Sequence, residues 1–281
     1  MRTRSLSALS ASSTSVCLAA TLAVVVAACG DSGSGGGPSD AGADAAGTGR
    51  FDAASDAGAT QDGSSAFDTG APPVDAAVDA SAALAQRLLA LTSQCTVASL
   101  SQYSIHQGSS PSIDVCKLNG AFFWNSSMNV DCDGQTTNEC SSTTDPAYQN
   151  DTSFHQASDG KPLIASVLPY VVIPLPPSSS QVRWDYKAAG VLPGALVIVL
   201  YGGQLNYGVF GDEGPDNLIG EASYAMAKSL GVNPDPASGG VDSGATYIVL
   251  TGTSAVVSPI EDHQAAVTLG QKLAADLLQK N

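Results

Sequence analysis

The sequence predicts a mainly β fold, a β-rich α+β domain with many short strands, a few short helices and a helix at the C-terminus. Three observations predict it. Short runs rich in Val, Ile, Leu and Tyr recur from residue 120 onward, each bounded by Gly, Pro, Asn or Ser. Few segments carry an apolar face at helical spacing. The first third of the 281-residue chain is compositionally unlike the rest, so only residues 81–281 read as a folding unit, closed or nearly closed to hide its strand edges.

Residues 1–28 begin with Arg2 and Arg4, pass through an apolar run from Cys17, and end in Val26-Ala27-Ala28 before Cys29. A basic start, a short apolar core and small residues before a cut describe an export signal rather than a membrane span. Small residues followed by Cys resemble a bacterial lipobox, which would make Cys29 the lipid-modified first residue; a non-lipidated secretory signal is the alternative. Residues 29–80 are mostly Gly, Ser, Ala, Asp and Thr, too poor in large apolar side chains to offset the entropy of ordering. They read as a flexible acidic tether.

The formal net charge is −15, of which residues 1–79 contribute −6 and the folded part −9. Such acidity disfavours nucleic acid, whose phosphates want clustered Lys and Arg, and favours cationic or neutral substrates. With Cys17 in the signal and Cys29 at the lipid site, Cys95, Cys116, Cys132 and Cys140 remain. Four cysteines allow three pairings. Cys95–Cys116 with Cys132–Cys140 is preferred, since each closes a short loop in an oxidising compartment. The spacings lack the close pairs of structural zinc loops.

Along the folded part, Asp79 is expected to cap a helix from Ala82 to about Thr92 with Leu84, Leu88, Leu89 and Leu91 as its apolar stripe. Gly120–Trp124 and Met128–Gly134 read as strands, the second carrying Asp131 and Asp133 on one face. Asp131-Cys-Asp-Gly134 faintly resembles the start of an EF-hand loop, but the later oxygen ligands and flanking helices are missing. Val167–Pro174 reads as a strand made irregular by its prolines, Val182–Tyr186 as a short strand or loop, and Ala195–Tyr201 as a central strand. Gly202-Gly203 turns it back into Leu205–Phe210 as a hairpin. Gly211, Gly214 and Pro215 then punctuate a turn, and Ala222, Ala225, Met226 and Leu230 recur at helical spacing, which places Glu221 at the start of that helix. Ala245–Thr251 is a second buried strand. A final helix has Ser258 as N-cap, Pro259 in its first position, Glu261 behind it, and an apolar face through Leu278.

Several chemistries are excluded by absent signatures. His106, His155 and His263 are isolated, and no His-Glu-x-x-His, Gly-x-Ser-x-Gly, phosphate-binding or dinucleotide fingerprint occurs. Paired carboxylates remain. Asp212 and Glu221 flank one turn and could face a common cleft, one protonating a leaving oxygen while the other activates water at a sugar carbon. Spacing alone describes a turn Asp and a helix-start Glu more readily than a catalytic pair.

A family resemblance adds to this reading. Asp159-Gly-Lys-Pro-Leu163, Pro169-Tyr-Val-Val-Ile-Pro174, Tyr207-Gly-Val-Phe-Gly-Asp-Glu-Gly-Pro215, Ile219-Gly-Glu-Ala-Ser223, Ser238-Gly-Gly240 and Thr246–Gly252 together resemble the fungal-type chitosanases of glycoside hydrolase family 75, as does Asn129–Gly134. The resemblance implies an endo-acting enzyme that cleaves β-1,4-linked glucosamine polymers with inversion. Its Asp and Glu map onto Asp212 and Glu221, read here as base and acid, with the reverse assignment also compatible. The Gly-Asp-x-Gly-Pro and Ile-Gly-Glu-Ala-Ser motifs also resemble double-psi β-barrels, which implies a six-stranded double-psi β-barrel-like core.

The expected substrate is chitosan or a related amino-sugar polymer. Asp131, Asp133, Glu213 and Asp216 could pair its ammonium groups, and Trp184 and Tyr207, with Trp124 and Tyr186, are candidate platforms for sugar rings, although core packing is the more usual role for such aromatics. No cofactor and no metal is called for. The other expected associations are a membrane only through a lipid at Cys29 and none with nucleic acid, the chain being monomeric. Competing readings are a non-catalytic polysaccharide-binding or envelope lipoprotein on the same fold and a peptidoglycan-cleaving lytic enzyme.

Overall fold

The computed structural model describes residues 74–178 and 183–281. The expected signal, Cys29 and the tether up to residue 73 lie outside the described residues. The chain runs α1 (Val74–Leu91), β1 (Val97–Tyr103), β2 (Ile113–Leu118), β3 (Ala121–Asp131), β4 (Tyr170–Pro174), β5 (Leu196–Tyr201), β6 (Gln204–Gly214), β7 (Glu221–Ser223), α2 (Tyr224–Ser229), β8 (Val241–Leu250) and α3 (His263–Lys280).

Six strands close into a barrel in the order β3-β7-β4-β6-β5-β8, with β8 pairing back onto β3 and β1–β2 appended outside the ring. Closure leaves these six without free edges. The length of β3 makes it possible: Ala121–Phe123 pairs with both β2 and β8, while Asn129–Asp131 pairs with β7. β3–β7 and β4–β6 are parallel, and the other pairs of the ring are antiparallel. The mainly β, six-stranded core with few helices is the architecture the sequence predicts.

Side-chain alternation builds two apolar layers. Trp124, Val171, Val197, Phe210, Ala222 and Val249, one from each strand of the ring, meet in one cluster, which is the barrel interior. The residues between them, including Phe123, Val172, Ile198, Val209 and Ile248, join Leu88 of α1 and Ala274 and Leu277 of α3 in the other. The helices therefore cover the outer wall. Both faces of β5 are buried, which explains its unbroken apolar sequence. The β5–β6 hairpin is the one expected. Tyr201 pairs with Gln204, and Gly202 and Gly203 take φ of 58° and 81°, the left-handed values such a two-residue turn requires.

Several boundaries differ from the sequence reading. Asp79 lies inside α1 rather than capping it, because the helix begins earlier, at Val74. The two strands read from Gly120 and Met128 are one, β3. Glu221 belongs to β7 and not to a helix, since the Ser223 side chain accepts from Met226 N and so starts α2 only after it. The C-terminal helix is capped by Asp262, whose carboxylate accepts from Ala265 N at 2.9 Å. Ser258 and Pro259 precede it in a turn, and Glu261 instead accepts from Ala157 N and Ser158 N, tying down the loop before β4. Both expected disulfides are present, Cys95–Cys116 and Cys132–Cys140. They mark a protein matured in an oxidising compartment, hence exported.

One irregularity positions the site. Val171 pairs with Phe210 and Val172 with Asp212, so Gly211 is an extra residue in β6. Such a bulge reverses the alternation that follows it. Phe210 faces the interior, and after the bulge Asp212 shares the outer face of Val172. Gly211 is packed tightly, since a Cβ there would lie 2.7 Å from Tyr170 Cβ and 2.9 Å from Leu163 Cδ1. Gly211→Ala is therefore expected to cost about 1–3 kcal/mol by overpacking. Urea unfolding should show a lower midpoint with unchanged slope; an unchanged midpoint would mean that β6 yields freely at this point.

Candidate active site

Val172 is in register with Asp212 on one side and Glu221 on the other. The two carboxylates thus stand on one face of the sheet, separated by a single strand, with Cα atoms about 9.6 Å apart from two strand spacings. Val172 forms the floor between them. Gly214 leaves room for Glu221: a Cβ there would lie 3.0 Å from Val172 Cγ1 and 3.1 Å from Glu221 Oε2. Asn129 continues the row on β3, in register with Glu221, and its amide is anchored on Ile105 O at 2.6 Å.

The two acids have different surroundings. Asp212 is 6% exposed, and its Oδ1 accepts from Ser153 N at 2.7 Å and Glu213 N at 2.8 Å. Burial raises its pKa, while these hydrogen bonds to the charged form hold the rise back. The Glu221 carboxyl accepts no hydrogen bond from a described residue. Burial first, then the charges of Asp133, Asp212 and Asp145, push its pKa up to about 7.

More carboxylates close the cleft beside this pair. Asp133 follows the end of β3, and both its oxygens accept from Gln149, from the backbone N at 2.6 Å and from Nε2 at 3.0 Å. Its pKa is pushed up to about 6, by burial first and then by Asp212 and Asp145 against the Gln149 hydrogen bonds. Asp131 Oδ1 accepts from Asp133 N at 2.8 Å, while its Oδ2 is enclosed without a hydrogen-bond partner. Its pKa lies well above the usual range through burial and then the charge of Asp133. Tyr170 donates to Asp133 O at 2.9 Å and fixes this turn to β4. Asp133, Asp212, Glu213, Gln149, Asp151, Thr152 and Ser153 line a cavity of about 420 Å³.

The structure therefore brings together Asp131, Asp133, Asp212, Glu213 and Glu221 of the residues singled out in sequence. It does not bring the others. Asp216 is paired with Arg183 at 3.3 Å. Trp184 and Tyr207, expected as sugar platforms, are each 5% exposed. Trp184 packs at a tilt in the interior beside Phe122 and Trp124, and Tyr207 lies under α3, where Gly270 makes room for its ring. Both are core residues because the barrel wall needs their area more than the cleft does. Ser153, Gln149 and Asp145 were not singled out in sequence: they lie in the loop between β3 and β4, where only turn chemistry was legible. Among the described residues, no group of three or more His, Cys, Asp or Glu side chains is arranged to hold a metal ion.

The comparisons with known proteins point the same way. Residues 128–275 match the family described as fungal chitosanase of glycosyl hydrolase group 75, and the match contains the end of β3, both carboxylates and most of α3. Endo-chitosanase B of Aspergillus oryzae is 32% identical over 181 residues, covering 57% of this chain and 75% of that protein. An endo-chitosanase of Aspergillus fumigatus is 34% identical over 118 residues, covering 38% of this chain and 48% of that protein. With a match over more than half its length, on a closed barrel whose outer wall carries paired carboxylates, this chain belongs to the fungal chitosanase family, glycosyl hydrolase group 75.

Proposed function

We propose that this protein is an endo-acting chitosanase that hydrolyses β-1,4-glucosaminidic bonds with inversion, Glu221 serving as general acid and Asp212 as general base. The observation that carries the reading is the row Asp212–Val172–Glu221, two carboxyls on one rigid face separated by one strand. A retaining enzyme needs its carboxyls about 5–5.5 Å apart, whereas inversion leaves about 6.5–9.5 Å so that a water fits. The strand between them supports the wider arrangement.

The environments support the division of roles. Glu221, with its pKa at about 7, keeps its proton in mildly acidic solution and delivers it to the glycosidic oxygen as the bond to the anomeric carbon breaks. Asp212 serves as the base, one oxygen being held by two backbone N–H groups that favour its charged form while the other takes the proton of the attacking water. Water enters from the face opposite the leaving group. The Asp212 proton then passes to solvent and Glu221 regains one. Asp133, ionised above about pH 6, adds negative charge beside the pair, which attracts a polymer carrying ammonium groups.

The setting fits export with an anchor: the basic start, apolar run and Val26-Ala27-Ala28-Cys29 support lipidation at Cys29, with residues 30–80 as the spacer that lets the enzyme reach its polymer.

Glu221→Gln, which keeps shape and removes the proton, is expected to lower kcat/KM on chitosan by at least about a hundredfold, measured as reducing ends released. Near-parental activity in a folded variant would end the assignment. Protonated Glu221 is the active form, so kcat/KM should fall as pH rises through about 7; a profile flat to pH 9 would contradict this. The raised pKa also has a stability consequence. Between the ordinary Glu value of 4.5 and about 7 the folded state holds a proton that the unfolded state has lost, so stability falls as pH rises across that window. Glu221→Gln removes this dependence, and its melting temperature relative to the parent should climb between about pH 5 and pH 8. Proton NMR of early products should show the α-anomer; an initial β-anomer would overturn inversion.

A further inference from the structure

The loop between β3 and β4 is fixed on both sides of Ser153. Thr152, buried at 4%, donates through Oγ1 to Phe154 O at 2.8 Å and accepts from Leu163 N at 2.9 Å, which ties the chain together across residue 153. Before it, Asp151 Oδ1 accepts from Thr152 N at 3.0 Å and lies 2.8 Å from His155 Nε2. After it, the Phe154 ring meets Phe210 of the barrel interior edge-on, with centroids 4.9 Å apart. Ser153 itself is exposed, so its neighbours set its place, and its side chain stands at the wall of the carboxylate cavity.

Ser153 meets β6 through its side chain as well as its backbone. Its N donates to Asp212 Oδ1 at 2.7 Å, and Glu213 N donates both to that oxygen at 2.8 Å and to Ser153 Oγ at 3.1 Å. A hydroxyl that accepts from one side keeps its own proton to give elsewhere, and the Asp212 carboxylate is the acceptor within its reach. Burial raises the Asp212 pKa, and against that rise the Ser153 hydroxyl is the strongest restraint, ahead of the backbone N–H groups of Ser153 and Glu213. The charged groups that act on Asp212 from its surroundings are acids: Glu213 on its own strand, Glu221 on β7, and Asp131 and Asp133 at the end of β3. Asp151 shares the cavity and is paired with His155. A base set among acids depends on neutral donors for its charge. The two N–H groups would be present with any side chain at residue 153, whereas the hydroxyl is specific to Ser.

We infer that Ser153 is a positioning residue for the hydrolysis: its hydroxyl, braced by Glu213 N, holds the Asp212 carboxylate in one orientation toward the attacking water. This rests on the chitosanase reading above, with Asp212 as base, and deepens it. A positioning role implies a defect in turnover rather than in binding, because a misoriented base weakens an interaction made only in the transition state and leaves the contacts of the polymer intact. A hydroxyl that touched the sugar instead would show itself in KM.

The test compares the full chain with its Ser153→Ala, Ser153→Thr and Asp212→Asn variants on chitosan, measuring kcat, KM and the pH profile of kcat/KM from reducing ends released. Ser153→Ala should lower kcat about tenfold and leave KM within about twofold of the parent. It should also move the acid limb of the profile, where Asp212 gains its proton, to higher pH, since the lost hydrogen bond favours the charged form. The limb set by Glu221 at about pH 7 should stay in place. Ser153→Thr, which keeps the hydroxyl, should restore kcat to within about threefold and return the acid limb. Because Ser153 is exposed, the melting temperatures should match the parent's. Parental kcat in Ser153→Ala would overturn the proposal, as would a loss of rate with the acid limb unmoved or a loss that Ser153→Thr shares. Parental activity in Asp212→Asn, or no reducing ends from the parent itself, would overturn the underlying reading and this role with it, a result distinct from an active, Asp212-dependent enzyme that is indifferent to Ser153.

Discussion

The extra residue at Gly211 decides which side of the barrel wall carries Asp212. Phe210 pairs with Val171 and faces the interior, and regular alternation would send Gly211 outward and Asp212 inward. There the carboxylate would enter a cluster of Trp, Phe, Val and Tyr side chains, where an unpaired charge costs many kcal/mol or is neutralised. The bulge leaves Gly211 on the outer side and brings Asp212 there too, and only a residue without a side chain can fill the extra place, because Tyr170 and Leu163 of the outer layer close over it. Everything catalytic in the proposal depends on this parity. Glu221 needs no such device: Ala222 beside it pairs with Val171 and faces the interior, so ordinary alternation turns Glu221 outward. Thus the two acids reach one face by different routes, one by regular pleating and one by its interruption.

Gathering acids on a wall has an electrostatic cost that the rest of the fold must carry. Asp131, Asp133, Asp212 and Glu221 all have pKa values pushed upward, with burial the leading cause in each. A site of this kind is destabilising as long as its ligand is absent, and proteins tolerate such sites where a rigid surround over-determines them. That surround is visible. β4 lies between β6 and β7, Tyr170 ties the turn of Asp133 to β4, and the Cys132–Cys140 disulfide is anchored between Asp131 and Asp133. The apolar layers on both faces of the wall supply the stability that the carboxylates withdraw.

Much of this was legible because its signals are local. The apolar run Ala195–Tyr201, the Gly202-Gly203 hairpin and the short-loop cysteine pairs each carry their own stereochemistry within a few residues. The motifs around Asp212 and Glu221 singled out these two acids, and the register of β4 with β6 and β7 sets them on one face. What failed were choices that only long-range packing makes. Ala222 fits the spacing of Ala225, Met226 and Leu230, so Glu221 looked helical until pairing with β3 and β4 drew it into a strand. Trp184 and Tyr207 looked like sugar platforms because an aromatic residue has the same composition signal in a cleft as in a core. Ser153, Gln149 and Asp145 meet the site from a loop distant in sequence from β6, and no periodicity connects them to Asp212.

Strand pleating also explains why neighbouring acids have unlike roles. Asp212 and Glu213 are consecutive, so they leave β6 on opposite sides, and each meets a different chemical world. Asp212 emerges among carboxylates and backbone donors, with no cationic partner in direct contact among the described residues, and lines the carboxylate cavity. Glu213 emerges beside Tyr186 and Lys187, where hydroxyl and ammonium take up its charge and leave an aromatic and aliphatic shelf. A polysaccharide lying across the end of this strand therefore passes from an anionic surface to an apolar one within about one residue's rise, roughly 3.3 Å, plus the reach of two side chains. The alternation of one β-strand is thus sufficient to set an anionic and an apolar surface side by side at the end of β6.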